Sequence, residues 1–319
     1  MQFVPVQTPA GTAFLPVCRP SVWTYWRNSP IPIPPPAAPT HSIYLGVLLP
    51  EDASGGSFAV MLENARRLRW SSLFPRFDFV QPVLVEGGLA PFLDDFIEAI
   101  DSAGLSRAAT RSRILQLPAA SISPLLEFTD DHLRAAAPFI DLVALYTKKR
   151  RYDIRRAQQL GLTVQVATIS TDDEARAVYS SIMQVHQESW TRTGLGPHSL
   201  EYWVGMSKAV RESGGHDLVS RTYGVEGELL SVAVVHVMGK SAFYHMNSTT
   251  IEGQKVSASP YGLHAVIVAA NLVGAELFEL GRHSEGESAK ASTITQYKAE
   301  FGGTEHPVPN FSLTTPFGR

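Results

Sequence analysis

Lys298 is the residue whose position has the clearest chemical meaning. It lies in a helix predicted over residues 289–301, one step off an apolar face. That face consists of Ile294, Tyr297 and Phe301 at helical spacing. A lysine at the edge of a buried face can place its ammonium in a cleft, where it would stabilise the oxyanion formed when an amine attacks an ester, or neutralise a phosphate. The alternative is a solvated lysine on a surface helix.

A run of cations near the middle of the chain is the second chemical feature. Six cations fall within nine residues: Lys148, Lys149, Arg150, Arg151, Arg155 and Arg156. Arginine can grip phosphate through two parallel hydrogen bonds, so the run can bind the phosphates of tRNA or of a nucleotide-linked acceptor. Arg151 and Arg155 share one helix face, which favours a shared ligand. The alternative is a solvated helix face that prevents aggregation.

Three polar residues lie on the strand predicted over residues 242–247. The alternation of side chains along a strand places His245 and Asn247 on one side and Tyr244 on the other. His245 can act as a base toward an amine, because the unperturbed pKa of histidine lies near neutral pH. The alternative is a histidine whose hydrogen bonds are satisfied in the core or at its rim.

Tyr261 and Gly262 lie at the opening of the helix predicted over residues 258–272. The N-terminus of a helix favours anionic groups, so both residues are candidates for the site that binds the donor. Trp190 and Trp203 are expected to serve packing rather than base stacking.

The elements that must position these residues alternate along the chain from about residue 42 onward. Strands are predicted at 42–49, 77–85, 113–117, 139–146, 162–169, 218–223, 229–237, 242–247 and 277–281. Helices are predicted at 92–102, 151–161, 171–193, 200–213, 258–272 and 289–301, and the chain closes with an extended piece. The fold class that follows is α/β with mixed sheets.

Composition defines the broad class of protein. With 44% hydrophobic and 18% charged residues over 319 positions, the chain is globular and long enough for two domains. The formal net charge of −3 provides no global basic field for nucleic acid, so any such contact must be local. The proline-rich stretch at 29–40 favours an extended polyproline conformation.

Cysteine usage and the N-terminus indicate the compartment. The single cysteine, Cys18, cannot form an internal disulfide, and no Cys/His cluster has zinc spacing, so we expect no metal. The N-terminal residues lack the positive segment and apolar core of a signal peptide. The most apolar helical stretch, 263–275, is too short to span a bilayer. We therefore expect a cytoplasmic monomer without a membrane span.

The order of elements and two motifs carry a resemblance to a known family. In the second half the order is strand, two helices, three strands, helix, strand, helix and strand, which resembles GNAT-type acyltransferases. The segment from Lys148 to Gly161 (KKRRYDIRRAQQLG) resembles the K-x-x-R-x-x-I-R-x-A-x-x-x-G motif of the FemABX family. The segment from Tyr297 to Gly303 (YKAEFGG) resembles that family's F/Y-K-x-x-F-G-G motif. The resemblance covers roughly residues 40–315.

FemABX proteins are two GNAT-like domains in one chain. Their best-known members transfer an amino acid from aminoacyl-tRNA to the side-chain amine of a cell-wall precursor peptide, and related proteins modify other amines, including those of secondary metabolites. The resemblance implies a first GNAT-like domain at 1–147, joined by residues 304–319, and a second, with the catalytic cleft, at 148–303. It also implies an electrostatic catalytic role for Lys298.

The residues and the resemblance together define a candidate site. The candidate catalytic residues are Lys298, Tyr297 and His245. The candidate residues for binding substrate or donor are Lys148, Arg151, Arg155, Tyr244, Asn247, Tyr261 and Gly262.

One departure from the GNAT pattern bears on the donor. GNAT enzymes that use coenzyme A hold its pyrophosphate with backbone N–H groups in a Q/R-x-x-G-x-G/A loop that opens a helix. Residues 255–262 (KVSASPYG) contain one glycine, and their proline removes an N–H donor. This favours aminoacyl-tRNA as co-substrate, with no separate cofactor.

Three functions stay open at this point. The first is transfer of an aminoacyl group from aminoacyl-tRNA to an amine of a peptide, a cell-wall precursor or a secondary metabolite. The second is an acyl-CoA-dependent N-acyltransferase that acts on a small-molecule amine. The third is a GNAT-shaped binding protein without chemistry. The basic helix and the glycine-poor loop favour the first over the second, and the intact motif at 297–303 disfavours the third.

Overall fold

The computed structural model describes residues 2–8, 11–17, 76–80, 84–85, 88–89, 106–123, 125, 127–194, 196–212, 214–284 and 289–314. The predicted strand at 42–49, the predicted helix at 92–102, the proline-rich stretch and Cys18 lie outside these residues.

The chain divides into two compact units. The first contains residues 1–111 and 306–319, and the second contains residues 112–305. The predicted domain boundary near Lys148 therefore falls inside the second unit, because residues 112–147 pack with the residues that follow them. The assignment of the chain to two functional domains stays a prediction.

The first unit is described only through its strands. These are β1 (Gln2–Thr8), β2 (Gly11–Val17), β3 (Arg76–Val80), β4 (Leu84–Val85) and β5 (Gly88–Leu89). The strands β1 and β2 pair antiparallel, as do β4 and β5. The C-terminal strand β13 (Thr304–Thr314) pairs antiparallel with β3, so the end of the chain returns to the first unit.

The second unit contains the described helices. Its strands are β6 (Ser106–Gln116, which begins in the first unit), β7 (Glu127–Thr129), β8 (Thr163–Ile169), β9 (His216–Tyr223), β10 (Leu229–Met238), β11 (Ser241–Thr249) and β12 (Leu277–Ser284). Its helices are α1 (Asp130–Ala135), α2 (Ala137–Leu145), α3 (Lys148–Gln159), α4 (Asp172–Arg192), α5 (Leu200–Glu212), α6 (Ile251–Lys255), α7 (Ala258–Leu272) and α8 (Ala289–Ala299).

Local sequence signals explain where several helices begin and end. Thr171 and Glu174 form a reciprocal capping box at the start of α4, with both hydrogen bonds at 3.1 Å. Gly161 has a φ of 75°, a left-handed conformation that glycine adopts without steric cost, and it ends α3 as the sequence predicts. From residue 148 onward the predicted helices and strands are confirmed in type and order.

One predicted element is wrong in type. Residues 139–146, predicted as a strand, belong largely to helix α2. Phe139 and Leu142 are buried, whereas Ile140 and Leu145 are exposed, which is a helical spacing of buried positions. A short apolar run does not distinguish a buried strand from a helix by periodicity alone, and Pro138 in the first turn suits the start of a helix.

The strands of the second unit follow in the order β6, β12, β11, β10, β9, β8, β7. Pairing is antiparallel from β7 to β11, and β11 pairs with β12 in parallel. The parallel pairing covers only three positions, from Ser241 opposite Leu277 to Phe243 opposite Glu279. Both strands continue beyond these positions, so they separate there. We call this place the strand opening.

Two clusters of buried side chains cover the sheet. One lies on the α7 face and includes Leu142, Ile154 and Phe301 together with nearly all of helix α7. The other lies on the α4–α5 face and includes Tyr179 and Trp203. Each fully buried aliphatic or aromatic side chain contributes about 1.5–3 kcal/mol relative to exposure. The strand opening therefore lies in a sheet that is held on both faces.

Candidate active site

A hydrogen-bonded network on the α7 face joins two of the predicted residues. The hydroxyl of Tyr297 lies 2.9 Å from that of Ser259, which donates a hydrogen bond of 3.2 Å to Oδ1 of Asn247. Tyr244, on the same strand, is close enough for the side chain of Asn247 to influence the pKa of its phenol. The network thus brings together helix α8, the first turn of helix α7 and strand β11 just past the strand opening. Ser259 is a member that the sequence analysis did not single out.

The two tyrosines near this network keep their protons. Burial raises the pKa of Tyr244 well above its ordinary value, and the neighbouring Tyr297 raises it further. Burial also raises the pKa of Tyr297, although Arg150 and the hydrogen bond with Ser259 oppose this effect. Both phenols are therefore neutral near pH 7 and can donate a hydrogen bond to a bound group.

Lys298 is buried beside the strand opening. Lys298 is only 8% exposed. A Cβ placed on Gly281 of strand β12 would lie 3.1 Å from Nζ of Lys298 and 3.6 Å from the carbonyl oxygen of Tyr244. The ammonium therefore lies next to the backbone of Gly281, just beyond the last position at which β12 pairs with β11. This position contradicts the alternative of a solvated surface lysine, while the catalytic role of Lys298 stays a prediction.

Gly281 makes this approach possible. Its φ is 78°, in the left-handed region that favours glycine. A larger residue would strain the backbone and would also displace the ammonium of Lys298.

Arg150 links the two motifs that carry the family resemblance. Its guanidinium donates a hydrogen bond of 2.5 Å to Glu300 and one of 3.3 Å to the carbonyl oxygen of Tyr297. It also lies over the rings of Tyr297 and Phe301, at 4.4 and 4.5 Å from their centroids. Arg150 is 1% exposed, so its charge serves a buried ion pair. The prediction that Arg150 belongs to a phosphate-binding run is wrong for this reason.

Two other cations of helix α3 lie near the buried Arg150–Glu300 pair. Lys149 lies 3.0 Å from Glu300 and 3.4 Å from Asp153. Arg151 donates a hydrogen bond of 2.8 Å to the carbonyl oxygen of Tyr146, just past the end of α2.

The remaining cations of the run are exposed. Lys148, Arg155 and Arg156 lie on the surface of α3. The side chain of Arg155 donates a hydrogen bond of 3.3 Å to the carbonyl oxygen of Arg151. Lys149 is exposed as well, so four of the six cations face solvent. The contacts described for Lys148, Arg151 and Arg155 do not include the network around Tyr297.

Tyr261 and Gly262 face other parts of the second unit. The hydroxyl of Tyr261 contacts Asp130, and Nε of Arg134 lies 3.1 Å from it. A Cβ on Gly262 would lie 2.5 Å from Oγ1 of Thr222, so the absence of a side chain lets helix α7 pack closely against strand β9. Both residues therefore have structural contacts that the sequence did not predict.

His245 lies on the opposite face from Tyr244 and Asn247. Strand β11 has an extra residue here, because Val234 pairs with Met246 while Val235 pairs with Tyr244. This β-bulge places His245 on the same side as Met246, among the residues of the α4–α5 face. The predicted alternation is wrong because a bulge shifts the side-chain pattern by one position.

The environment of His245 is aromatic and rich in histidine. Its ring lies 5.3 Å from that of Trp203 and 4.7 Å from that of His236, both edge to face. Burial holds the pKa of His245 well below its ordinary value, and the neighbouring histidines add to this effect. His245 is therefore neutral near pH 7.

Two further features concern ions and membranes. Among the described residues, no group of three or more His, Cys, Asp or Glu side chains is arranged to hold a metal ion. Within the same part of the chain, no helix is both long and apolar enough to cross a bilayer.

Comparison with known families agrees with this geometry. Residues 148–299 match the family model described as "Acetyltransferase (GNAT) domain". The matched segment contains helix α3, the strand opening, the network and Lys298. No curated protein sequence matches the chain.

Solved structures extend the likeness to the whole chain. FemX has a TM-score of 0.61 at 10% identity, with 98% of this chain and 88% of FemX covered. The fold is FemABX-like. L-PGS from Bacillus licheniformis has a TM-score of 0.54 at 12% identity, covering 99% of this chain and 85% of that chain. The C-terminal DUF2156 domain of a putative lysylphosphatidylglycerol synthetase from Agrobacterium fabrum has a TM-score of 0.55 at 14% identity. The match covers 99% of this chain and 84% of that chain.

The FemABX-like fold confirms the predicted fold class. The mixed sheets and interspersed helices are those of a GNAT-type acyltransferase architecture, and the likeness to FemX includes both compact units. At these identities the likeness establishes the fold alone.

Proposed function

We propose that this protein transfers an aminoacyl group from aminoacyl-tRNA to an amine and forms an amide bond. The observation that carries this proposal is the buried ammonium of Lys298 at the strand opening of a GNAT-type domain. A fixed positive charge in a site shielded from water acts strongly on charge that develops during a reaction. Acyl transfer to an amine develops such charge on the carbonyl oxygen of the donor.

The residues of the site take complementary roles in this reaction. The amine attacks the ester carbonyl, and the negative charge on the carbonyl oxygen is stabilised by Lys298. Tyr297, held by Ser259 and by the guanidinium of Arg150, can donate a hydrogen bond to the same oxygen or orient the donor. Tyr244 and Asn247 provide further polar contacts to the donor on the α7 face.

The start of helix α7 favours aminoacyl-tRNA over coenzyme A. Ser257, at the N-cap, has a φ of 61° and makes no capping hydrogen bond through its side chain. Pro260, the third residue of the helix, has no N–H group. The missing N–H of Pro260 leaves one backbone donor fewer for a pyrophosphate, whereas the exposed Lys148, Arg155 and Arg156 of helix α3 can contact tRNA phosphates.

A second candidate is transfer from an acyl-coenzyme A thioester to a small-molecule amine. The match of residues 148–299 to an acetyltransferase domain favours it. The chemistry at Lys298 would be the same, since a thioester carbonyl also becomes an oxyanion.

The acceptor in the first candidate is an amine of a peptide, a cell-wall precursor or a secondary metabolite. In both cases we propose a cytoplasmic monomer that needs no separate cofactor.

The experiment that tests the proposal compares the two donor classes. The protein would be incubated with charged tRNAs, or separately with acyl-coenzyme A thioesters, and a panel of amines, and the products would be measured by mass spectrometry. We expect amide products with aminoacyl-tRNA. Products with acyl-coenzyme A alone would establish the second candidate, and an absence of products from both donors would contradict acyl transfer.

A further inference from the structure

The outward surface of helix α3 carries an exposed aromatic ring among cations. Relative to Tyr152, four cations lie at positions i−4, i−3, i+3 and i+4, which are the nearest neighbours of a residue on a helix surface. We call this surface the α3 face. It consists of the exposed residues of α3 and of its C-terminal cap: Lys148, Lys149, Tyr152, Arg155, Arg156, Gln159 and Leu160.

The ring of Tyr152 is open to solvent. Tyr152 is 59% exposed. Tyr146 and Tyr297 pack edge to face against Phe301, at 5.1 and 5.6 Å between ring centroids. Within the described part of the chain, Tyr152 has no ring contact of this kind, and no cation lies over its ring. The ring therefore has surface available for stacking with a planar group.

Most cations of the α3 face lack a carboxylate partner. The one carboxylate of the helix, Asp153, lies 3.3 Å from the buried Arg150 and 3.4 Å from Lys149. The ion pairs found among the described residues include none for the other three cations of the face, Lys148, Arg155 and Arg156. The face is therefore positive, although the whole chain has a formal net charge of −3. Such a local positive field attracts an anionic partner.

This arrangement of charge does not stabilise the helix itself. Lys148 and Lys149 lie in the first turn, where the partial positive charge of a helix disfavours cations, and that turn has no acidic residue to offset them. Arg151 and Arg155 repel each other, because like charges at i and i+4 are neighbours. A bound anion would relieve both effects, so the charge of the α3 face is better explained by binding than by folding.

The α3 face lies close to the helix that carries Lys298. Arg150, buried on the opposite side of α3, donates hydrogen bonds to Glu300 and to the carbonyl oxygen of Tyr297. Tyr297 belongs to helix α8, as does Lys298. A helix with its side chains is about 10–12 Å across, so roughly this distance separates the α3 face from α8. The single-stranded end of an RNA whose last nucleotide lies at Lys298 can span it.

We propose that Tyr152 stacks on an unpaired base at the 3′ end of the tRNA, while Lys148, Arg155 and Arg156 contact the adjoining phosphates. The inference rests on the proposed use of aminoacyl-tRNA as donor. Stacking on an aromatic side chain tolerates any base, because every base has a π face. The α3 face thus holds the single-stranded part of the tRNA that precedes the aminoacyl ester, without reading its sequence.

Two RNA hairpins separate stacking from the general attraction of RNA to a basic surface. One hairpin ends in the unpaired 3′ nucleotides of a tRNA, and the other has the same stem with a blunt end. We expect Tyr152→Ala to weaken binding of the first by about 5–100-fold, the usual effect of losing one base stack, and binding of the second by less than about twofold. Tyr152→Phe keeps the ring and should bind both hairpins as the wild type does. Fluorescence anisotropy measures these affinities.

The salt dependence of binding tests the cations. Arg155→Gln should weaken binding of both hairpins alike and reduce the slope of log K against log salt by about 1. Lys208→Gln is the matched control, because Lys208 is an exposed cation of helix α5 that is paired with Glu212. This variant should change neither the affinities nor the slope.

Two patterns of binding would overturn the inference. The first is a Tyr152→Ala variant that loses equal affinity for both hairpins or none for either. The second is a Tyr152→Ala variant that binds RNA normally but loses affinity for coenzyme A, which also carries an adenine and phosphates.

Kinetics distinguish a failure of this inference from a failure of the proposed function. With aminoacyl-tRNA as donor, Tyr152→Ala should raise KM and leave kcat nearly unchanged. An unchanged KM would contradict the stacking role and leave the proposed function standing. A wild-type protein that binds the unpaired 3′ end through Tyr152 but forms no amide would support the stacking role and contradict the proposed function alone.

Discussion

At the scale of single residues, the most informative finding is that charges in the two motifs have different roles. Lys298 and Arg150 are both buried cations. Arg150 is neutralised by Glu300 and stacked on two aromatic rings, so it fixes helix α3 against the end of helix α8. Lys298 lies at the strand opening, where we propose that it meets the carbonyl of the donor. The sequence pattern alone does not separate these roles, because both residues are cations in the two motifs that carry the family resemblance.

The Arg150–Glu300 pair gives a prediction about stability. Arg150→Met leaves the Glu300 carboxylate buried without its strongest partner, so we expect the free energy of unfolding to fall by about 3–5 kcal/mol. The matched control is Lys149→Met, which removes an exposed partner of the same carboxylate. This variant should change the free energy of unfolding by less than about 1 kcal/mol. Urea unfolding would measure both. Equal, small losses would show that the buried pair does not stabilise the fold.

At the scale of the elements, local signals predicted most of the second unit correctly. Capping residues, glycines and side-chain periodicity were enough to place the helices and strands from residue 148 onward, except the short helix α6. The helix at 137–145 was missed because its apolar run fits a buried strand equally well. The bulge at His245 was missed because it depends on the register between β10 and β11, which is set by packing across the sheet.

The candidate site was predictable only in part, for a related reason. The motif at 297–303 led to Tyr297 and Lys298, and the strand at 242–247 led to Tyr244 and Asn247. No spacing in the sequence points to Ser259 or to the Arg150–Glu300 pair. These contacts join residues that are far apart in the chain, so they follow from the fold rather than from a local pattern.

The bend of strand β12 at Gly281 gives a prediction at this scale. Gly281→Ala combines an unfavourable left-handed backbone with a Cβ only 3.1 Å from the ammonium of Lys298. We expect a stability loss of about 1–2 kcal/mol and a fall in kcat of tenfold or more. Gly227→Ala is the matched control, since Gly227 has a φ of 82° but open space around its Cβ position. It should show the same backbone strain with an unchanged kcat.

If both glycine variants lose activity to the same degree, the effect comes from general destabilisation and the contact between Gly281 and Lys298 has no special importance. Steady-state kinetics and thermal unfolding of the two variants, measured side by side, decide between these results.

At the scale of the whole molecule, the neutral buried histidines predict how stability depends on pH. Burial lowers the pKa of His264 from 6.5 to about 3, and that of His186 to about 4. In the unfolded chain these groups bind protons below about pH 6.5, while the folded state resists protonation. The stability they contribute is therefore complete above about pH 6.5 and is lost as the pH falls toward the folded pKa values.

We expect the free energy of unfolding to drop by several kcal/mol between pH 7 and pH 4. His264→Gln has no imidazole to protonate, so it should make the free energy of unfolding depend less steeply on pH between pH 7 and pH 4. Urea unfolding at a series of pH values measures this directly, and a wild-type stability that does not change over this range would contradict the prediction.

The central claim is that the buried charge of Lys298 stabilises the oxyanion of acyl transfer, and the single-turnover rate constant of amide formation tests it most directly. Lys298→Met keeps the apolar stem of the side chain but removes the charge, so the rate constant should fall by about 10²–10³-fold while donor binding changes little. Lys298→Arg keeps the charge at a shifted position and should recover only part of the rate. A folded Lys298→Met variant that forms the amide at the wild-type rate would contradict the account.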